Sequence, residues 1–264
     1  MSEVCPCLKS VQGLTSPTWA RSDLAGTSNF KKMIKLEILG AAANWSKPFQ
    51  EKKIKKFTSA FFRTDYRFQI DAGNPWDKRK IDYLIISHLH QDHISQIRTY
   101  PKKIVYLLPS KTFLKVIPRG VKFLFFKKEV LIGKTRIESF GVYHSSKTKT
   151  FGFKIYYQDS SFLWLPDYFA PFNYSSFKNC HYWFLGASSF KRNISHSHRL
   201  SGHQAILKIL EKFRKKKIFP KKRKIFLIHL GLSMFPLKEK ISILRKNFPE
   251  FEIQPTFDGM KINL

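Results

Sequence analysis

The sequence predicts an α/β protein in which large β-sheets carry helices on their outer faces. Three observations point there: many short apolar stretches biased toward β-branched and aromatic residues, two longer segments with helical spacing, and enough apolar material for a sizeable core. Of the 264 residues, 43% are hydrophobic and 26 are phenylalanine, which suffices for one large domain.

Residues 1–32 are rich in Ser, Thr, Gly and Pro and lack a periodic apolar pattern, so they read as a flexible N-terminal extension ahead of a domain spanning 33–264. Met33 opens MIKLEILG, a first strand. TSAFFR, YRFQID, IDYLIIS, KIVYLL, KFLFF, TRIESFGVY, FGFKIYY, SFLWLP, YWFLG and KIFLIHL follow as strands separated by turns. Within the third of these, residues 81–87 read as one buried strand. Helical spacing is found in HQAILKILEKFRKK, where Ile206, Ile209, Leu210 and Phe213 share a face, and in LKEKISILRKNF near the C-terminus. Strands dominate and helices flank them, as in sheets covered from outside.

Composition narrows the function classes. No apolar run approaches the roughly 18 residues of a membrane span, and the first thirty residues lack the basic start and apolar block of a secretory signal. A cytoplasmic location and no membrane partner are therefore expected. Three cysteines, Cys5, Cys7 and Cys180, cannot form a disulfide framework, and one Cys-Pro-Cys pair is a weak zinc signal. Lys and Arg number 48 against 18 Asp and Glu, a net charge of +30. That excess suits a nucleotide or nucleic-acid partner, and equally suits a compositional bias that puts lysine on every solvated face. The basic run RKKKIFPKKRK, Arg214 to Lys224, can touch a phosphate backbone, yet reads first as a solvated helix end and loop.

The most informative stretch is LIISHLHQDHISQI, residues 84–97. His88, His90, Asp92 and His93 follow a buried strand, on a loop at a sheet rim where functional groups collect. In HxHxDH spacing, side chains 88 and 90 converge on one ion while 92 and 93 turn toward a second, and imidazole with carboxylate is a zinc ligand set. His144 and Asp167 also lie where apolar runs end. His229 lies inside KIFLIHL, where a histidine is ordinarily a satisfied core residue. Asp71 precedes Gly73 and reads either as a turn residue or as an acceptor that fixes a ligand imidazole.

With these residues in place, the chain resembles the metallo-β-lactamase fold hydrolases from about Met33 to Leu264. HxHxDH is their signature, YRFQIDAGNP matches their strand ending in Asp-x-Gly, and GVYHS, SFLWLPDYF and KIFLIHLGLS supply His144, Asp167 and His229 in the expected order. The resemblance implies a four-layer αββα sandwich. It also implies two zinc ions, with manganese as the other option: one on His88, His90 and His144, one on Asp92, His93 and His229, and Asp167 between them. Two such ions about 3.5–4 Å apart activate a water near neutral pH. Asp92 thereby counts among the catalytic groups. A glutamate in place of His90 would mark the flavoprotein di-iron branch, and a cysteine in the slot of Asp167 the lactam-cleaving branch; neither is present.

The segment SHSHRLSGHQAILKILEKF resembles the stretch where the phosphodiesterase and tRNA-processing branches place a histidine that protonates the leaving oxygen. His198 is the first choice. Aligning Ser201 and Ala205 with the family pattern puts Arg199 at the histidine position, so His196 and His203 stay open, as does an exposed His-rich loop capped by Ser201 at a helix start. FDGMKINL looks like the closing strand of the small phosphodiesterases. Two departures stand out: Gln96 occupies a place where the family has glycine, and the Gly-rich arm of the tRNA-processing branch is missing. The expected activity is phosphodiester cleavage in a nucleotide or nucleic acid. The alternatives are thioester or other ester hydrolysis on the same metals, and a catalytically idle nucleic-acid-binding member. A homodimer is compatible with the sequence.

Overall fold

The computed structural model describes residues 33–43, 54–144, 148–169, 174–191, 194–196 and 201–264, with only the backbone course at 194–196 and 201–203. The proposed extension over residues 1–32, with Cys5 and Cys7, lies outside the described residues. Among those described, the strands are β1 (Lys35–Gly40), β2 (Ser59–Arg63), β3 (Arg67–Ile70), β4 (Tyr83–Ile85), β5 (Val105–Leu108), β6 (Lys122–Phe125), β7 (Glu129–Ile132), β8 (Thr135–Val142), β9 (Thr150–Tyr157), β10 (Ser160–Leu165), β11 (Tyr182–Gly186), β12 (Ile194–His196), β13 (Ser201–His203), β14 (Lys224–Ile228), β15 (Glu252–Pro255) and β16 (Lys261–Asn263). The α-helices are α1 (Gln91–Ile94), α2 (Ile206–Lys215) and α3 (Leu237–Asn247).

They form two seven-stranded sheets, ordered β16-β1-β2-β3-β4-β5-β6 and β15-β14-β11-β10-β9-β8-β7, and a small β12-β13 hairpin. Each large sheet is half antiparallel and half parallel. β3 to β6 are parallel in the first sheet, and β10, β11, β14 and β15 in the second. Parallel neighbours need crossovers, and α2 and α3 lie in the crossovers that precede and follow β14. Strands covered on both faces become continuous apolar runs, as in YWFLG and KIFLI. Antiparallel strands with one wet face alternate, as β1 does.

Between the sheets, the Phe62 ring of β2 meets Phe162 of β10 edge-on at 5.4 Å and stacks on Phe68 at 4.8 Å. On the outer face of the second sheet, Ile206, Ile209, Leu210 and Phe213 of α2 are buried, with Phe213 4.8 Å from Trp183. The other outer face buries Leu84, Ile86, Tyr106 and Leu108 beneath α1 and two 3-10 segments, Ile97–Thr99 and Lys111–Val116, the second of which contributes the buried Phe113. The expected four layers are present, with this last one thin. No described helix is long and apolar enough to cross a membrane.

The strand expected over 81–87 keeps ladder geometry only at Tyr83–Ile85. Beyond Ile85 the chain turns aside because Ser87 donates its backbone N–H and its hydroxyl to Asp71 (2.8 Å each). At the other end of β4, Asp82 accepts from the Arg67 backbone N–H (2.9 Å) and side chain (2.7 and 2.8 Å). Burial alone would raise the Asp82 pKa, but the Arg67 hydrogen bonds and charge outweigh it and hold the carboxyl below the usual range. A lowered folded-state pKa stabilises above the unfolded value, about 3.9, and that contribution vanishes as pH falls through the folded one. Asp82→Asn should therefore cost about 1 kcal/mol at pH 7. In urea titrations the gap from the parent should close below about pH 3.9; a gap of constant size would contradict this.

Candidate metal centre

The seven sequence-derived metal-ligand candidates and Asp71 lie past the C-terminal end of a strand. Asp71 follows β3, the HxHxDH loop follows β4, His144 follows β8, Asp167 follows β10 and His229 follows β14. Both sheets end on the same edge, so residues far apart in sequence meet there. Asp71 and His229 have φ of 63° and 50°, left-handed backbone that non-glycine residues adopt at a cost of about 1–2 kcal/mol. At His229 this turn takes the side chain out of the continuous apolar run of β14, so the histidine inside KIFLIHL joins the candidate centre and not the apolar core.

Three trios of ligand atoms lie within 4.8 Å of one another: His88, His90 and His144; Asp92, His93 and His229; and His88, His93 and Asp167. Asp167, 1% exposed, reaches imidazoles of both first trios. Its Oδ2 lies 2.9 Å from His93 Nε2 and 3.6 Å from His88 Nε2, and its Oδ1 3.2 Å from His229 Nδ1 and 4.0 Å from His144 Nε2. His229 Nε2 is 3.1 Å from Asp92 Oδ2 and 3.4 Å from His93 Nε2. His90 Nδ1 is 3.0 Å from His144 Nε2.

The surroundings set the ring orientations. Asp71 already accepts two hydrogen bonds from Ser87, and its Oδ2 lies 2.7 Å from His93 Nδ1. A carboxylate only accepts, so the Nδ1 carries a proton and Nε2 faces the centre, the nitrogen that would give up its proton to a cation there. Ser188 Oγ sits 2.7 Å from His229 Nδ1, and Thr148 Oγ1 3.3 Å from His90 Nε2. Sequence reasoning passed over Ser188, although it too follows a strand end, that of β11. Asp71→Asn should weaken metal binding about 10–100-fold, read as a shifted zinc-loading curve with an unchanged fold by circular dichroism. Equal loading would remove Asp71 from this role.

Burial, and after it the positive neighbour His93, depresses the His88 pKa well below the usual value. Burial also opposes charge on His93, but Asp92, Asp71 and Asp167 outweigh it and raise that pKa well above normal. Asp92 is pulled down to about 2, because the charge on His93 and the His229 hydrogen bond overcome its desolvation. Three buried carboxylates thus crowd one region, which calls for positive charge beyond a single imidazolium. Among the described residues, the buried His88 Nε2 has no hydrogen-bond partner. An orphaned nitrogen beside clustered carboxylates fits divalent cations, and the donor set can bind metal ions.

The proposed acid His198 and the aligned Arg199 lie outside the described residues. His196 and His203 are placed by backbone alone, on the β12-β13 hairpin, where Ile194 pairs with His203 and His196 with Ser201. Gln204 N–H donates to Tyr168 O and Ile206 N–H to Ser189 O, both at 2.9 Å. The hairpin therefore runs into a segment held by the residues next to Asp167 and Ser188. The cap expected from Ser201 is not formed: Ser201 is in β13, and the N-cap Ala205 makes no side-chain bond. Carbonyls of Ser189 and Phe190 accept from the first turn of α2 instead. Gln96 needs no glycine, since its φ of −105° suits any residue.

The basic run is the helix end and loop its pattern suggested, at the opposite end of β14 from His229. Cys180 is a buried free thiol, pushed up to about 12 by burial and far from reactive.

No family model matches the chain, and no curated protein does. Solved structures do share its architecture. The metallo-β-lactamase fold protein YhfI from Bacillus subtilis is similar with a TM-score of 0.69 at 15% identity, covering 88% of this chain and 100% of that one. A diphosphatase from the PhnP family gives 0.59 at 16% identity, with 88% and 98% covered. CmlA, a diiron β-hydroxylase from Streptomyces venezuelae, gives 0.61 at 14% identity, with 89% and 55% covered.

Proposed function

From the metallo-β-lactamase fold that this chain has, we propose a dinuclear metal-dependent hydrolase that cleaves a phosphodiester in a nucleotide or nucleic acid. The observation that carries this reading is Asp167, whose two oxygens contact imidazoles from both ligand trios. His88, His90 and His144 would hold one cation, Asp92, His93 and His229 the other, and Asp167 would lie between them. Zinc is the first choice from the ligand chemistry and manganese the second; the diiron neighbour means that the fold by itself selects neither. When bound, the pair supplies Lewis acidity and lowers the pKa of water toward neutrality.

The protein's own residues supply orientation and protons. Asp71 keeps the proton on His93 Nδ1, and Ser188 fixes the His229 ring from the other side. The departing oxygen needs an acid, a role that imidazole suits near neutral pH; His198 is the first candidate, and His196 and His203 are the others. The phosphodiester choice draws support from the diphosphatase neighbour and from the net charge of +30.

The test is metal content by mass spectrometry together with turnover of bis(p-nitrophenyl) phosphate beside a thioester and a β-lactam. Two equivalents of zinc or manganese, with diester hydrolysis that chelation removes and metal restores, is the expected result. Purified protein without transition metal, or thioester turnover alone, would overturn it.

A further inference from the structure

We propose that the face formed by the end of α2 and the loop into β14 binds the phosphate backbone of a single-stranded nucleic acid, well apart from the candidate metal centre. This rests on the phosphodiester reading for the choice of polyanion. Lys224 opens β14 and His229 follows its last residue, so the two sites sit at opposite ends of one strand, roughly 16 Å apart at about 3.3 Å per residue.

Within 211–224 there are nine basic residues (Lys212, Arg214–Lys217, Lys221–Lys224) and one acidic residue, Glu211. Two arginines are braced on aromatic rings: Arg214 lies 4.4 Å over Phe248 and Arg223 3.9 Å over Phe219. Arg214 and Lys224 are partly spent on Glu250 and Glu252, each at 2.7 Å. Lys215, Lys217, Lys221 and Lys222 are exposed and form no ion pair among the described residues. A row of unneutralised cations beside rigid guanidinium groups is what a phosphate backbone engages.

The backbone adds a second, independent mark. Lys217 N–H bonds to Arg214 O and Ile218 N–H to Phe213 O, both at 3.0 Å, the helix-ending arrangement whose left-handed position favours glycine. Lys217 holds it at φ 51°, and Arg223 sits at φ 56°. Two cations thus occupy positions where a residue without a side chain fits more easily. Local positive potential is felt by His181, which burial first and then Lys221 and Lys222 hold below its usual pKa. Of the apolar residues of the run, Ile218 and Pro220 are buried and Phe219 is half-buried beneath the Arg223 guanidinium, so no fully exposed apolar side chain is offered to a bilayer, which favours nucleic acid over an anionic membrane.

The experiment compares two charge-reversed proteins with equal net change. One carries Lys215→Glu, Lys217→Glu, Lys221→Glu and Lys222→Glu; the control carries Lys122→Glu, Lys127→Glu, Lys128→Glu and Lys134→Glu. Binding of a fluorescein-labelled 20-nucleotide RNA is followed by anisotropy from 50 to 200 mM salt. The first protein should lose at least about tenfold in affinity and about 3 units of log–log salt slope, near 0.7 per phosphate contact, with the control close to the parent. Lys217→Gly, which relaxes the backbone, should melt no lower than the parent while its slope falls by about 0.7. Equal losses in both reversed proteins, no loss in either, or patch-dependent binding to phosphatidylserine vesicles without RNA binding would overturn the proposal. Patch-dependent RNA binding by a protein inactive on bis(p-nitrophenyl) phosphate would remove the catalytic reading alone and uphold this one.

Discussion

Asp167→Ala is expected to lower diester hydrolysis by at least about 1000-fold, equivalent to about 4 kcal/mol of transition-state stabilisation, while the two sheets stay folded. Among the described residues, the carboxylate is the one group whose oxygens lie within 4.0 Å of nitrogens from four histidines, His88, His93, His144 and His229. Its removal takes away the charge shared between the two ligand trios and leaves their imidazoles facing each other across a buried gap. Metal content should fall below two equivalents per chain. Asp167→Asn keeps the shape and loses the charge, so it should resemble alanine in activity and the parent in thermal stability without metal. An Asp167→Ala protein that kept full metal loading and a tenth or more of the rate would refute the central role given to this residue.

Much of the fold was legible because its parallel strands are buried on both faces and so read as unbroken apolar runs: YLI, VYLL, YWFLG and KIFLI. The elements that escaped lack that signature. β7 and β15 are four-residue edge strands, β15 with two polar residues in EIQP, and β12 and β13 are the three-residue stretches ISH and SGH, with one apolar side chain between them. The candidate centre was legible for a related reason. Asp71, Asp167 and the HxHxDH loop each end an apolar run, and the rim of a sheet is where polar groups collect. Ser188 obeys the same rule after YWFLG but carries a hydroxyl with no metal-ligand signature, and only the 2.7 Å approach to His229 gives it meaning. α1 is a single turn within the stretch whose sequence reads as a loop. What ends it early is backbone bonding, Gln96 N–H to Ala72 O at 3.0 Å and Ala72 N–H to His93 O at 2.7 Å.

That same backbone clasp leaves no room for a single methyl group at Gly73. A Cβ there would stand 1.6 Å from the carbonyl oxygen of Asp92 and 3.1 Å from Phe57 Cβ, and real Cβ atoms do not approach backbone oxygen so closely. The obstacle is main chain and cannot swing aside as a side chain would. Relief requires the loop after β3 to move away from α1. That motion breaks the Ala72 bonds to His93 and Gln96 and pulls Asp71 from His93 Nδ1. Gly73→Ala should therefore destabilise the protein by about 3 kcal/mol or more, a drop in melting temperature of about 6–12 °C for a domain of this size, and should weaken metal binding as well. Gly141→Ala is the matched comparison: it lies three residues before His144, and a Cβ there meets nothing within 4 Å. It should melt within about 2 °C of the parent, a shift of about 0.5 kcal/mol. If Gly73→Ala melted with the parent and kept its metals, the tight seating of the Asp71 loop against α1 would not be what holds His93 in place.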